Sequence, residues 1–181
     1  MSWAQKVSKS ILNIMGWRVT GSIPTTKKGI FVVAPHTHWM DIPIGLLVRS
    51  AIDLEVKFIA KKSLFRGLKG PIFKYLGGYP VDRSKSQGYV ESVADIFNQH
   101  DQFFIAIAPE GTRQKVHRFK TGFYYIARKA NVPIYLTKFD FENKEVNFNT
   151  PIWPEGEPQK QIAEMEDYFK GVKGKVVAKS F

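Results

Sequence analysis

The chain contains no cysteine, which excludes disulfides, thiolate metal sites and a cysteine nucleophile. It also lacks any apolar run approaching the ~18–20 residues that a bilayer-spanning helix requires. Lys6, Lys9 and Asn13 interrupt the N-terminal apolar residues, and no small-residue cleavage site follows them. The expectation is therefore a cytoplasmic chain without a spanning segment. There is no Gly-x-Ser-x-Gly elbow for a serine nucleophile, and no repeat, low-complexity tract or linker divides the chain. Acidic residues are few, 16 against 27 Lys and Arg, which leaves a formal charge of +11. A basic surface favours an anionic partner: nucleic acid, lipid headgroups, a phosphorylated metabolite or an acidic protein. The positives are scattered in pairs (Lys27–Lys28, Lys61–Lys62, Arg128–Lys129) rather than gathered in a tail, which argues against a nucleic-acid-binding arm.

What the chain does have is enough apolar material for a core, 44% of its 181 residues. Short apolar runs alternate with helical patterns. Strands are expected at 29–34, 56–60, 79–83 and 102–108, with a hairpin at 133–141 and 145–148. A short helix should begin near Asp41, and helices are expected over 63–77 (broken at Gly70–Pro71), 86–100, 121–130 and 157–172. This alternation predicts an α/β fold, a mostly parallel central sheet flanked by helices on both faces. Residues 2–17 place Trp3, Val7, Ile11, Ile14 and Met15 at helical spacing, with Lys6 and Lys9 on other faces. That is an amphipathic helix suited either to packing on the domain or to lying in a membrane interface. The expected division is an N-terminal helix over 1–20 and one domain over 21–181.

In such a fold functional loops lie beyond the C-terminal ends of strands. Three polar stretches follow expected strands: PHTHWMD (35–41), DRS (82–84) and PEGTR (109–113). Two of the four histidines stand in the first. His36 and Asp41 are five apart, about 500° on a continuous helix and so ~140° from a common face. They meet only if the chain turns between them. A carboxylate on one imidazole nitrogen fixes the tautomer and lets the other nitrogen take a proton from a hydroxyl. Without an enzyme nucleophile, that hydroxyl would belong to the substrate. Two other readings of the stretch stand beside this one. Asp41 could simply cap the next helix. His36 and His38 could be metal ligands of a hydrolase, although the further ligands such a site needs are not evident in a chain whose other histidines are His100 and His117. In the third stretch Gly111 supplies a tight turn, Thr112 a hydroxyl and Arg113 a guanidinium, a set suited to phosphate. Arg83 and Lys61 are further phosphate candidates. The basic surface also admits a non-catalytic lipid-binding module.

Taken in order, these blocks resemble the lysophospholipid (1-acyl-sn-glycerol-3-phosphate) acyltransferase family, the PlsC-like glycerolipid acyltransferases. HTHWMD is similar to the family's block of His, four residues, Asp. The run AKKSLFRGLKGPIFKYLGGYPVDRS is similar to its second block, with Lys61, Leu64, Pro71, Gly78 and Asp82–Arg83 in place. IAPEGTR matches its Pro-Glu-Gly-Thr-Arg block, and FKTG (119–122) and NVPI (131–134) follow. The resemblance implies acyl transfer from a thioester, acyl-CoA or acyl carrier protein, to a lysophospholipid hydroxyl, with no metal or other cofactor. It makes His36 the general base and Asp41 its orienter. It gives Arg83 and the Glu110–Gly111–Thr112–Arg113 turn, with Lys61, to the acceptor's phosphate or headgroup. Amides at the start of the helix after Asp41 are candidates for an oxyanion site, and Leu64, Phe65, Ile72 and Phe73 for either an acyl groove or the core. The implied location is the inner face of the cell membrane, on an anionic surface, with no nucleic-acid partner. The chain departs from the family pattern at Pro35, where Asn is common, at His38, where Ser is common, and in YLTKFDF, which lacks a second proline. Residues beside His36 face the acceptor, so these departures bear on which acceptor is used.

Overall fold

The run KGIFVVA forms β2 (Lys28–Ala34), a strand whose two faces are both covered. Its β-branched and aromatic side chains alternate: Ile30, Val32 and Ala34 point to one core, Phe31 to another. The computed structural model describes residues 2–67, 70–81 and 88–181, without the side chains of residues 60, 61 and 64. Arg83 and the rest of the DRS stretch therefore lie outside the described residues, as does the start of the helix expected from residue 86.

Among the described residues seven strands form one sheet in the order β1-β7-β6-β2-β5-β3-β4. They are β1 (Arg18–Gly21), β2, β3 (Val56–Lys61), β4 (Gly78–Val81), β5 (Phe103–Ile107), β6 (Ile134–Asp140) and β7 (Glu145–Phe148). The β6–β7 hairpin is antiparallel, and every other pairing is parallel. Strand β1 has no counterpart among the expected elements. At four residues it is too short for an alternation to register, and it pairs with β7, more than a hundred positions away.

The helices are α1 (Trp3–Ile14), α2 (Asp41–Ala51), α3 (Gly70–Tyr75), α4 (Tyr89–Asn98), α5 (Gly122–Ala130) and α6 (Pro158–Tyr168). The region 63–77 divides into a 3-10 turn at Lys62–Phe65 and α3; Gly70 and Pro71, expected as the break, instead open α3, where the missing N–H of Pro71 costs nothing. Helices α4, α5 and α6 cover one face of the sheet around Phe97, Phe123, Ile134 and Phe169. Helices α1 and α2 cover the other around Phe31, Phe104, Tyr135 and Phe148.

Helix α1 lies on α2 through Leu12 and polar bonds, Ser8 Oγ to Ser50 Oγ at 2.8 Å and Gln5 Nε2 to the Ala51 carbonyl at 3.2 Å. The apolar stripe read from the sequence is only partly the buried face: Met15 packs against the core and Val7 is half-buried. Trp3, Ile11 and Ile14 are exposed, while Ser8 and Leu12 face the domain. The chain leaves α1 at Ile14 and enters β1 at Arg18, so the boundary drawn at residue 20 falls inside a strand of the sheet.

Candidate active site

Strands β2 and β5 are parallel neighbours, with Val32 opposite Ile107. The loops that follow them, 35–40 and 108–121, consequently leave the same edge of the sheet. This brings together residues 74 or more positions apart in the chain.

His36 Nδ1 and Asp41 Oδ2 are 2.8 Å apart, because α2 starts at Asp41 and the loop turns the chain back before it. Asp41 is buried, and Oδ2 also accepts the His38 N–H at 3.2 Å. Its place in the first turn of α2 suits a negative charge. On the other side of the ring, Arg113 Nε donates to His36 Nε2 at 3.3 Å. A guanidinium only donates. Nε2 therefore carries the lone pair, and Nδ1 carries the proton it gives to Asp41. Asp41 and Arg113 hold the tautomer in which the nitrogen turned away from the carboxylate is the base.

Glu110 lies elsewhere than expected for a headgroup ligand. Its carboxylate is buried, and Oε1 accepts the backbone N–H of His36 at 2.8 Å. Burial pushes this carboxyl above its ordinary range; the His36 N–H opposes the rise, and the nearby Asp41 charge adds to it. Among the described residues neither Glu110 Oε2 nor Asp41 Oδ1 has a hydrogen-bond partner. The helix start after Asp41 also differs from expectation. The Asp41 and Ile42 N–H groups already donate to the His38 and Trp39 carbonyls at 3.3 and 3.2 Å, and residue 43 is a proline. Those amides are committed to the turn that delivers Asp41 and are not free for an oxyanion.

Gly111 adopts φ +66°, the left-handed turn that glycine tolerates, and a Cβ there would lie 2.7 Å from Lys120 Nζ. The ammonium of Lys120 thus joins Thr112 and Arg113, all exposed, at one rim; Lys120 was legible only as part of FKTG. Thr112 Oγ1 accepts the Gln114 N–H at 3.3 Å. Lys61 ends β3, the neighbour of β5, and its side chain is outside the described residues. His38 is engaged elsewhere: its Nδ1 accepts the Met40 N–H at 3.3 Å. Among the described residues no three His, Asp or Glu side chains are grouped so as to hold a metal ion.

His36, Asp41 and Arg113 border a cavity of about 820 Å³ between α2 and the sheet. That size suits a single organic ligand. Ile42, Gly45 and Leu46 of α2 face Phe31, Val33 and Phe139 of the sheet across it, and Phe73 reaches it from α3. Ile72, by contrast, is exposed, and Phe65 packs its ring 6.0 Å from that of Phe73. Two basic residues that the sequence reading passed over also line it, Arg49 and Lys57. Arg49 Nη1 donates to the carbonyls of Val56 and Leu76 at 2.9 and 3.0 Å, tying α2 to β3 and to the turn after α3. Lys57 pairs with Glu55.

The His36–Asp41 pair thus stands at the ends of two strands, on the border of an apolar cavity. The family profile described as Acyltransferase matches residues 16–136, most of the chain and every one of these loops. The chain belongs to the acyltransferase family. The crystal structure of the 1-acyl-sn-glycerophosphate acyltransferase PlsC from Thermotoga maritima is similar to it, with a TM-score of 0.61 and 22% identity over 91% of this chain and 74% of that one. At that identity the likeness speaks for the fold, the mostly parallel α/β sheet described above. No curated protein shows significant similarity.

Proposed function

We propose that this acyltransferase moves a fatty acyl group from a thioester, acyl-CoA or acyl carrier protein, to the hydroxyl of a lysophospholipid such as 1-acyl-glycerol-3-phosphate. One observation carries the reading: a His36–Asp41 pair of fixed tautomer at the edge of an apolar cavity of about 820 Å³. The acyl chain lies in the cavity beside Gly45 and Phe139. The acceptor hydroxyl displaces the exposed Arg113 from His36 Nε2 and gives that nitrogen its proton as its oxygen attacks the thioester carbonyl. Asp41 stabilises the imidazolium that forms. The carbon–sulfur bond then breaks, the thiolate takes the proton from Nε2, and the ester and free thiol leave. Arg113, Thr112 and Lys120 bind the acceptor phosphate, with Lys61 and Arg83 as further ligands. The reaction uses no metal.

The acceptor would come from a membrane. Among the described residues no helix is long and apolar enough to cross one. The face of α1 turned away from the domain instead exposes Trp3, Ile11 and Ile14, with Lys6 and Lys9 beside them, and Trp39 and Ile42 are exposed next to the site. Such a surface enters an anionic interface by burying its apolar side chains while the lysines meet headgroups. The site of action is the inner face of the cell membrane, with α1 as the attachment and the chain from β1 onward as the acyltransferase domain. To test the function, the purified protein is given acyl-CoA or acylated carrier protein with a panel of lysophospholipids, and thiol release is followed. Acceptor-dependent release that persists in chelator is expected. Its absence with every acceptor and both donors would refute the proposal.

A further inference from the structure

The segment after α6 lies beyond the residues matched by the family profile, which end at 136. Yet it touches both loops of the candidate site. Thr37, between His36 and His38, is buried, and its Oγ1 accepts the Val176 N–H at 3.1 Å. Gly174 presses against the same side chain. A Cβ there would lie 2.6 Å from Thr37 Oγ1 and 3.2 Å from Pro35 Cγ, so only glycine allows the segment this close.

The segment is itself firmly held. The Phe141 N–H, just past β6, donates to the Lys173 carbonyl at 2.8 Å, and the Gly174 N–H donates to buried Ser180 Oγ at 2.9 Å. At its end the Phe181 ring stands 4.3 Å from that of Phe119. Phe119 closes the loop that carries Arg113, and its N–H donates to Glu166 of α6 at 2.7 Å. One stretch of chain, 166–181, thus grips the loop of His36 at Thr37 and the loop of Arg113 at Phe119. The loop at His36 is held at two points, by Glu110 at the His36 N–H and by the C-terminal segment at the Thr37 side chain.

We infer that Thr37 is a positioning residue: its contacts with Val176 and Gly174 set where the His36 ring stands between Asp41 and Arg113. The activity arm of the test rests on the acyl-transfer reading above; a second arm does not. Thr37→Val keeps the shape and removes the acceptor. It should lower kcat about tenfold, the scale on which sub-ångström to ångström displacement of a catalytic group acts, with KM for donor and acceptor within about twofold. Thr37→Ser should restore most of the loss. Ser180→Ala, which frees the Gly174 N–H, should act in the same direction and more weakly. Independently of turnover, the ring ¹⁵N signals of His36 should report a proton on Nδ1 in the wild type, and should shift or broaden in Thr37→Val and Ser180→Ala. A Thr37→Val protein with wild-type kcat and unchanged His36 signals would overturn the inference. If Thr37→Val fails to fold, unchanged kcat and ring signals in Ser180→Ala overturn it equally. A wild type that transfers no acyl group would sink the functional reading, and the ring signals would still decide this one.

Discussion

The two faces of the sheet use alternate residues of the same strands for different ends. On the α4–α6 side, Ile30, Val32, Ile105 and Leu136 meet Phe97, Phe123 and Phe169 in a continuous core. On the α1–α2 side, Phe31, Phe104, Tyr135 and Phe139 also meet a helix, yet part of the space between them is the cavity of about 820 Å³. Both faces are apolar, so hydrophobicity alone does not tell them apart. The difference lies in the side chains the covering helix presents and in what stands at its start. Helix α2 begins at the site with Asp41, and its Gly45 leaves open the space a larger side chain would fill. Both faces hold a core, and the second also borders the cavity of the site.

Substitutions on each face can break that contrast. The largest effect is expected at the site: His36→Ala should cut acyl transfer by about 10³-fold or more, within the range of a lost general base, with the thermal midpoint little changed. A variant with activity near wild type would remove His36 from the chemistry. On the solid face, Phe97→Ala should cost ~3–5 kcal/mol of stability by leaving a void, seen in denaturant unfolding, while activity per folded molecule holds. A parallel fall in intrinsic activity would show that the faces are not independent.

Gly45→Leu should fill the cavity at little cost in stability, since a Cβ there meets Phe139 only at an ordinary 3.6 Å. It should lower kcat/KM for long acyl donors about tenfold relative to short ones, the scale on which a pocket reads methylenes. Equal loss for all chain lengths would place the acyl chain elsewhere. On the outer side of the same face, Trp3→Ser with Ile14→Ser should weaken binding to anionic vesicles at least tenfold, given ~1.5–3 kcal/mol for each large apolar side chain buried. Unaltered binding would free α1 from that role.

The smallest effect concerns Glu110. Its folded carboxyl titrates above the ordinary 4.5 because burial disfavours the charge. The associated stability is fully present below that ordinary value and is lost as pH rises through the raised one. Glu110→Gln keeps an acceptor for the His36 N–H and cannot ionise, so its melting temperature should fall less between acidic and neutral pH. An unchanged slope would mean that other groups set the dependence.

Much of this was readable in the chain. Strand β2 and the β6–β7 hairpin are short apolar runs bounded by turn residues, and helix α5 follows the 3.6 period, so local pattern and final structure agree. The five-residue separation of His36 and Asp41 already demanded a turn between them. Other features left no local trace. Strand β1 exists because β7 offers it a partner. Trp3, Ile11 and Ile14 of the α1 stripe point outward because α2 takes Leu12 and Ser8 instead. The inward turn of Glu110 depends on where β2 and β5 place their loops relative to one another.

The class of fold, the order of its loops and the residue types available for proton transfer follow from the chain read locally, because apolar period, turn chemistry and the ionisable groups are local properties. Which nitrogen of His36 carries the lone pair, the support Glu110 gives the backbone and the contact of Val176 with Thr37 in the His36 loop come from the tertiary structure. Each of these rests on contacts between residues about 75 to 140 positions apart. Only the parallel pairing of β2 with β5, and the return of the chain after α6, bring such residues within hydrogen-bonding distance.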